Sequence, residues 1–270
     1  MTDKALILAR GLGTRMRKDD QSVTLSEAEA RAAATGVKAM IPIDRPFLDY
    51  VLSALADAGY RRICLVVAPD HDVIRRYYQE ECPPQRLTLD FAVQEVPRGT
   101  ADAVAAGEAF ADGDDILVVN SDNYYPLEAL GELRQRSGSA VALFEQEAML
   151  RESNIAPERI KAFAVGLADG DGNLVRILEK PDETTLAALP RPLWLSMNCW
   201  RFSPAIFEAC RRIPPSPRGE YEITDAVQYC IDRLGVRFQV VRVPRPVLDM
   251  TSRADIPAIK ERLKGVRVRL

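Results

Sequence analysis

The sequence predicts an α/β fold, a mixed and mainly parallel sheet with helices on both faces. Three observations carry that expectation. Through the first 145 residues, short apolar and often β-branched runs alternate with segments of helical spacing. The helical segments carry ordinary end signals, such as Pro46 at the start of one and Gly59 just past its end. After residue 160 the rhythm changes to hairpin-like pairs, which adds antiparallel strands.

Taken in order, the expected strands of the first part are residues 5–9, 63–68, 87–93, 116–120 and 140–144. Helices are expected at 46–58, 100–110 and 126–136. Residues 25–36 are helix-prone and exposed, and read as an insertion between two parts of a site. Further on, 162–168 and 174–179 flank Asp169-Gly-Asp-Gly-Asn173, a strong hairpin signal. A strand at 193–202 follows, then Ser203-Pro204 capping a short helix, a loop at 214–219, a helix at 222–234, a strand at 236–243 and a last helix at 254–264. No repeat or linker interrupts the chain. One domain over 1–270 is therefore expected, with halves dividing near 145.

Composition narrows the chemistry. About half of the 270 residues are apolar and the net charge is −3, so nothing favours nucleic acid through bulk charge. Five scattered cysteines form no C-x-x-C pair and read as buried thiols rather than disulfides or a zinc site. No leader-like N-terminus and no run of about 18 apolar residues is found, so a cytoplasmic protein without a membrane partner is expected. The single histidine, His71, argues against a Ser-His-Asp triad or a His-rich metal centre. Within Pro69-Asp-His-Asp72 it reads as part of a helix-capping loop.

The richest stretch is Leu8-Ala-Arg-Gly-Leu-Gly-Thr-Arg-Met16. A buried strand ending in Gly11-x-Gly13 can turn sharply and expose amide N–H groups to a phosphate. Arg15 adds a planar fork of donors. Such a turn can equally be structural. It is not a Walker loop, and Met16 stands where a dinucleotide fingerprint has its third glycine. Lys38 precedes an apolar run, Gln94-Glu-Val-Pro-Arg-Gly-Thr-Ala101 joins a strand to a helix, and Asp122 falls just past a buried strand, the edge where open α/β sheets bind ligands. Glu179-Lys-Pro181, Asn198, Glu222 with Thr224-Asp225, and Asp249 complete the polar clusters.

In this order and spacing the clusters resemble the sugar-phosphate nucleotidyltransferases, over residues 4–263. The matches are Leu8–Met16 to L-A-A/G-G-x-G-T-R-M/L, Val37–Pro42 to P-K-x-L/M-x-P, Asp44-Arg-Pro46 to G-K-P, and Gln94–Ala101 to Q-x-x-P-x-G-T-A. The later E-K-P, E-x-x-T-D and D-x-G-T segments follow. The resemblance implies a Rossmann-like fold of the nucleotide-diphospho-sugar transferase type, with nucleotide bound by the first half and sugar by the second. It implies attack of a sugar 1-phosphate on the α-phosphorus of a nucleoside triphosphate, with pyrophosphate leaving and Mg²⁺ as cofactor. UTP or dTTP and glucose 1-phosphate lead as substrates, and a homo-oligomer is possible.

Carried over by motif, Arg15, Lys38, Asp122, Lys180 and Asp249 would be catalytic, with Asp122 and Asp249 holding the metal. Leu8, Ala9, Gly11, Gly13, Thr14, Gln94, Gly99 and Thr100 would bind the nucleotide. Glu179, Asn198, Glu222 and Asp225 would meet the sugar. The sequence departs from the pattern at Arg10, where a small residue is usual, at Val37, in the long segment between Arg17 and Lys38, and at Thr251, where glycine is usual. Two other readings stay open: a catalytically silent sensor or regulatory subunit, and a cytidylyltransferase acting on phosphocholine or another alcohol phosphate.

Overall fold

Strands β1 (Lys4–Leu8), β2 (Arg62–Val67), β3 (Thr88–Val93) and β4 (Ile116–Asn120) lie side by side in the computed structural model, which describes residues 1–179 and 181–270. The expected catalytic Lys180 lies outside the described residues. β1 pairs in parallel with β2 and β4, and β2 with β3. The other strands are β5 (Asn123–Tyr124), β6 (Ser139–Glu145), β7 (Val165–Ala168), β8 (Leu174–Leu178), β9 (Trp194–Phe202), β10 (Phe238–Val243) and β11 (Leu248–Asp249). The main sheet runs β10-β6-β9-β4-β1-β2-β3. β9 is antiparallel to β4 and β6, β10 is parallel to β6, and the β7/β8 hairpin joins through β9. The sheet is thus mixed and mainly parallel, and strands from beyond residue 160 complete it.

Strand alternation explains why both faces are covered. Ala5, Ile7, Leu117 and Val119 enter one apolar cluster, whereas Leu6, Ile116 and Val118 enter the other. The helix Phe47–Ala58 packs on the first face, and Ala205–Arg212 and Ile223–Leu234 on the second. Two-sided burial makes β1, β2 and β4 apolar at successive positions, the pattern of an internal parallel sheet.

Several boundaries differ from the sequence expectation. The 100–110 helix is two pieces, Thr100–Ala105 and Glu108–Ala111. Between them Gly107 passes so close to Leu6 that a Cβ would lie 2.6 Å from its methyl groups. The strand expected from 162 begins at Val165, because the helix Pro157–Lys161 precedes it. The 25–36 segment does form a helix, Glu27–Thr35, with a Ser26–Glu29 capping box. It is anchored rather than freely exposed: Ala33 is buried, and Glu29 pairs with Lys260 at 2.8 Å.

The turn after β1 is fixed by a backbone contact. Gly13 has a φ of 60°, and a Cβ there would lie 2.0 Å from the Gly36 carbonyl oxygen. Gly11 has open space around it. Gly13→Ala should therefore lose about 1–3 kcal/mol of stability in a urea titration, and Gly11→Ala should stay within about 1 kcal/mol of the parent. Equal losses in the two variants would contradict this assignment.

Candidate active site

The carboxyl ends of β1, β3 and β4 open onto one cleft, the edge where such sheets bind ligands. One compartment of about 370 Å³ is lined by Leu8, Ala9, Gly11, Gly13, Thr14, Gln94, Gly99 and Thr100, all expected nucleotide residues. A second, of about 420 Å³, reaches Asn123, Arg159, Ser196, Asp249 and Thr251. Arg15, Lys38, Asn120, Asp122 and Asn198 line both, so the compartments adjoin at the cations and the first aspartate. Both volumes suit small-molecule ligands.

The cations come from two segments that touch. Arg15 lies on the helix Thr14–Arg17, which starts at Gly13. Gly36, whose carbonyl nearly meets Gly13, also accepts the Lys38 N–H at 3.0 Å. The Lys38 ammonium then reaches Asp122 Oδ2 at 2.8 Å. Arg15 is exposed and has no ion-pair partner among the described residues. Its guanidinium is available to an anion in the cleft.

The two aspartates are brought together by a ribbon of two-residue strands. β5 and β11 pair antiparallel with Asn123 opposite Asp249, and the Met250 N–H donates to the Asp122 carbonyl at 2.8 Å. Asn154 clamps Asp249 further: its Nδ2 donates to the Asp249 carbonyl at 2.8 Å, and the Asp249 N–H donates to its Oδ1 at 2.9 Å. The Asp249 carboxylate accepts from Asn123 Nδ2 at 3.0 Å, from Thr251 Oγ1 at 2.5 Å and from Arg159. Burial, with the nearby Asp122 charge, raises the Asp249 carboxyl above its usual range, against the pull of Thr251, Arg159 and Lys38. Thr251 has no positive φ and needs no glycine-like backbone, so its hydroxyl is an added tether on the aspartate.

Asp122 and Asp249 could hold a divalent cation. Two adjacent carboxylates are a hard oxygen donor set of the kind Mg²⁺ shares with phosphates and water. Among the described residues no group of three or more His, Cys, Asp or Glu forms an all-protein cage. The donor set therefore fits a cation completed by substrate oxygens.

On the wall after β3, Gln94 Nε2 donates to Asp102 Oδ2 at 2.8 Å and to the Gly99 carbonyl at 3.1 Å. Gly99 has a φ of 120°, and a Cβ there would lie 2.4 Å from the Tyr221 carbonyl oxygen. Tyr221 also accepts the Ala101 N–H at 2.9 Å, and Thr100 Oγ1 accepts the Ile223 N–H at 2.9 Å. The segment around Tyr221 thereby braces the turn at Gly99. Arg10 Nε donates to the Gln94 carbonyl at 3.2 Å, tying the glycine turn to the segment after β3. His71 packs near Arg10 and accepts the Ala68 N–H on Nδ1 at 3.4 Å.

The residues expected to meet a sugar are less completely gathered. Asn198 lines both compartments from β9 with a φ of 54°, a left-handed conformation that asparagine tolerates better than most residues. Its Oδ1 accepts from Trp200 Nε1 at 3.3 Å. Glu179 is exposed and lines neither compartment. Glu222 is tied to Arg218 at 2.6 Å and also stays outside both linings, where its neighbour Glu220 enters the first. Burial pushes the Glu222 carboxyl up, opposed by Arg218. Asp225 is exposed and faces a separate groove with Pro214 and Tyr229. Arg159, Asn123, Asn154 and Asp102 were not singled out in the sequence. Of these, only Asn123 and Asp102 sit beside a recognised motif.

The sequence profile of the nucleotidyl transferase family matches residues 4–243. A UTP–glucose-1-phosphate uridylyltransferase of Haloferax volcanii is 28% identical over 264 residues, 97% of this chain and 96% of that protein. A glucose-1-phosphate thymidylyltransferase of Streptomyces antibioticus is 30% identical over 231 residues, 85% of this chain but 57% of that protein, so this chain spans little over half of it. The crystal structure of a UDP-glucose pyrophosphorylase complexed with UDP-glucose shares the fold, with a TM-score of 0.74 over 99% of this chain and all of that one, at 20% identity.

The histidine behind the glycine turn gives a test in pH. Burial lowers the His71 pKa in the folded protein, and Arg10 and Arg75 add to that. A depressed folded value means that the unfolded chain takes the proton first. Stability is full above about pH 6.5 and is lost as pH falls towards the folded value. Between pH 7.5 and 5, thermal unfolding of His71→Gln should show a shallower loss than the parent. Identical slopes would contradict a buried neutral imidazole.

Proposed function

Because this chain belongs to the nucleotidyl transferase family, we propose that it joins UTP or dTTP to a sugar 1-phosphate, with glucose 1-phosphate the first candidate, and releases pyrophosphate. The observation that carries this reading is the meeting of the two compartments at Arg15, Lys38 and Asp122. One compartment offers a glycine turn and a base-reading segment. The other has room for a second ligand beside the same charges.

The chemistry asks little of a protein nucleophile. An oxygen of the sugar phosphate, already ionised, forms a bond to the α-phosphorus while the bond from that phosphorus to the pyrophosphate oxygen breaks. Catalysis is then alignment and charge neutralisation. Arg15, with no ion-pair partner among the described residues, meets the phosphates with its guanidinium. Lys38 leaves its contact with Asp122 to bridge phosphate oxygens as a point charge. Mg²⁺ held by Asp122 and Asp249 would supply neutralisation of the reacting phosphates. Thr251 and Asn123 hold the Asp249 carboxylate in one orientation, and Asn198 offers its amide donors to the sugar side.

The test is pyrophosphate release with Mg²⁺, UTP, dTTP or CTP, and a panel of sugar and alcohol phosphates. Turnover is expected with a uridine or thymidine triphosphate and a hexose 1-phosphate, and chelation of Mg²⁺ should abolish it. Nucleotide-sugar binding without turnover would favour a sensor, and turnover only of CTP with phosphocholine would favour the alcohol-phosphate reading. Arg15→Ala should lower kcat by about 10²–10³-fold. Arg10→Ala frees the base segment from the glycine turn, and should raise the nucleotide KM several-fold (roughly 1 kcal/mol, one hydrogen bond to a carbonyl) with kcat nearly unchanged. A collapse of kcat in Arg10→Ala would reverse this ranking of the two arginines.

A further inference from the structure

Gln94 is nearly buried, and its amide has one face free. Nε2 donates to Asp102 Oδ2 at 2.8 Å and to the Gly99 carbonyl at 3.1 Å. A carboxylate and a carbonyl accept hydrogen bonds and donate none, so the nitrogen must face them and both its hydrogens are used. Oε1 accepts nothing from the described residues, is not among their sealed and unpartnered polar atoms, and belongs to a side chain that lines the nucleotide compartment. An amide free to turn could show the cleft either a donor or an acceptor. This one shows an acceptor.

We propose that Asp102 is the positioning residue that sets base selectivity: it holds the Gln94 amide in one orientation, so that the cleft takes a base with a ring N–H donor and rejects cytosine and adenine. The proposal rests on the nucleotidyl-transfer reading and deepens it. Uracil and thymine present N3–H, which pairs with Oε1. Cytosine presents an N3 lone pair and adenine an N1 lone pair, which would leave two acceptors facing each other with neither satisfied. Guanine carries N1–H and is separated from uracil by size and not by this device. Asp102 is half-buried in the first turn of the helix Thr100–Ala105 and does not line the compartment. It acts through Gln94.

The test is the ratio of UTP to CTP binding, by calorimetry with Mg²⁺ present, in the parent and two variants. The parent should prefer UTP by about 10²-fold. Asp102→Asn keeps the size but replaces a pure acceptor with an amide, which can meet Gln94 either way round, and the ratio should fall about tenfold or more. Asp102→Glu keeps a pure acceptor and should retain most of the preference. A purely structural role would weaken both nucleotides together, so an unchanged ratio in Asp102→Asn overturns the proposal. Equal binding of UTP and CTP by the parent overturns it too, while leaving nucleotidyl transfer standing. Binding of no nucleotide by the parent overturns the nucleotidyl-transfer reading, and the proposal with it.

Discussion

Gly13 and Gly36 touch through their backbones, and the cation side of the cleft depends on that contact. A Cβ at Gly13 would lie within 2.0 Å of the Gly36 carbonyl oxygen, and one at Gly36 would lie 2.9 Å from the carbonyl of Leu12. No side chain at either position lets the two segments approach so closely. The helix carrying Arg15 and the turn carrying Lys38 are therefore locked at one separation. Lys38 in turn reaches the far end of β4 through Asp122. Two local conformational requirements thus set the spacing of three charges that come from distant parts of the chain.

The opposite wall depends on a smaller device. Two-residue strands β5 and β11 place Asp122 and Asp249 side by side, and Asn154 holds the second from behind. The arrangement concentrates negative charge in a buried corner, and the rise of the Asp249 carboxyl above its usual range is the electrostatic result. Arg159, bonded to both Asp249 and Asp255, offsets that charge from the second compartment. Lys38 and Arg159 are the side-chain cations that meet this corner.

Much of this was legible in the sequence, and the unread parts have physical reasons. β1, β2 and β4 are buried on both faces, so their apolar runs are continuous and easy to read. The glycine turn, Gln94 and Asp122 sit at strand ends, where the cleft forms, and Lys38 enters it from the turn after the helix Glu27–Thr35. The β5/β11 ribbon is too short for any periodicity, so only its outcome, two aspartates in one place, was foreseeable. Arg159 stands 90 residues from Asp249 in the chain, and nothing local marks it as their partner. Asp225 shares a motif with Glu222, but the next positions of the helix Ile223–Leu234 turn away from the cleft, and Asp225 with them. The break at Gly107 comes from a side chain of β1, a tertiary contact that helical spacing does not record.

In the proposed reaction this cleft aligns two phosphates amid fixed charges and lends no nucleophile of its own. Among the described residues lining either compartment there is no cysteine or histidine. The stereochemistry at phosphorus tests that most directly. With a UTP made chiral at the α-phosphorus by sulfur substitution, one turnover should give a nucleotide sugar of inverted configuration, the outcome of a single in-line displacement. Retention would require two displacements through a nucleotidylated side chain, and would contradict a single in-line displacement.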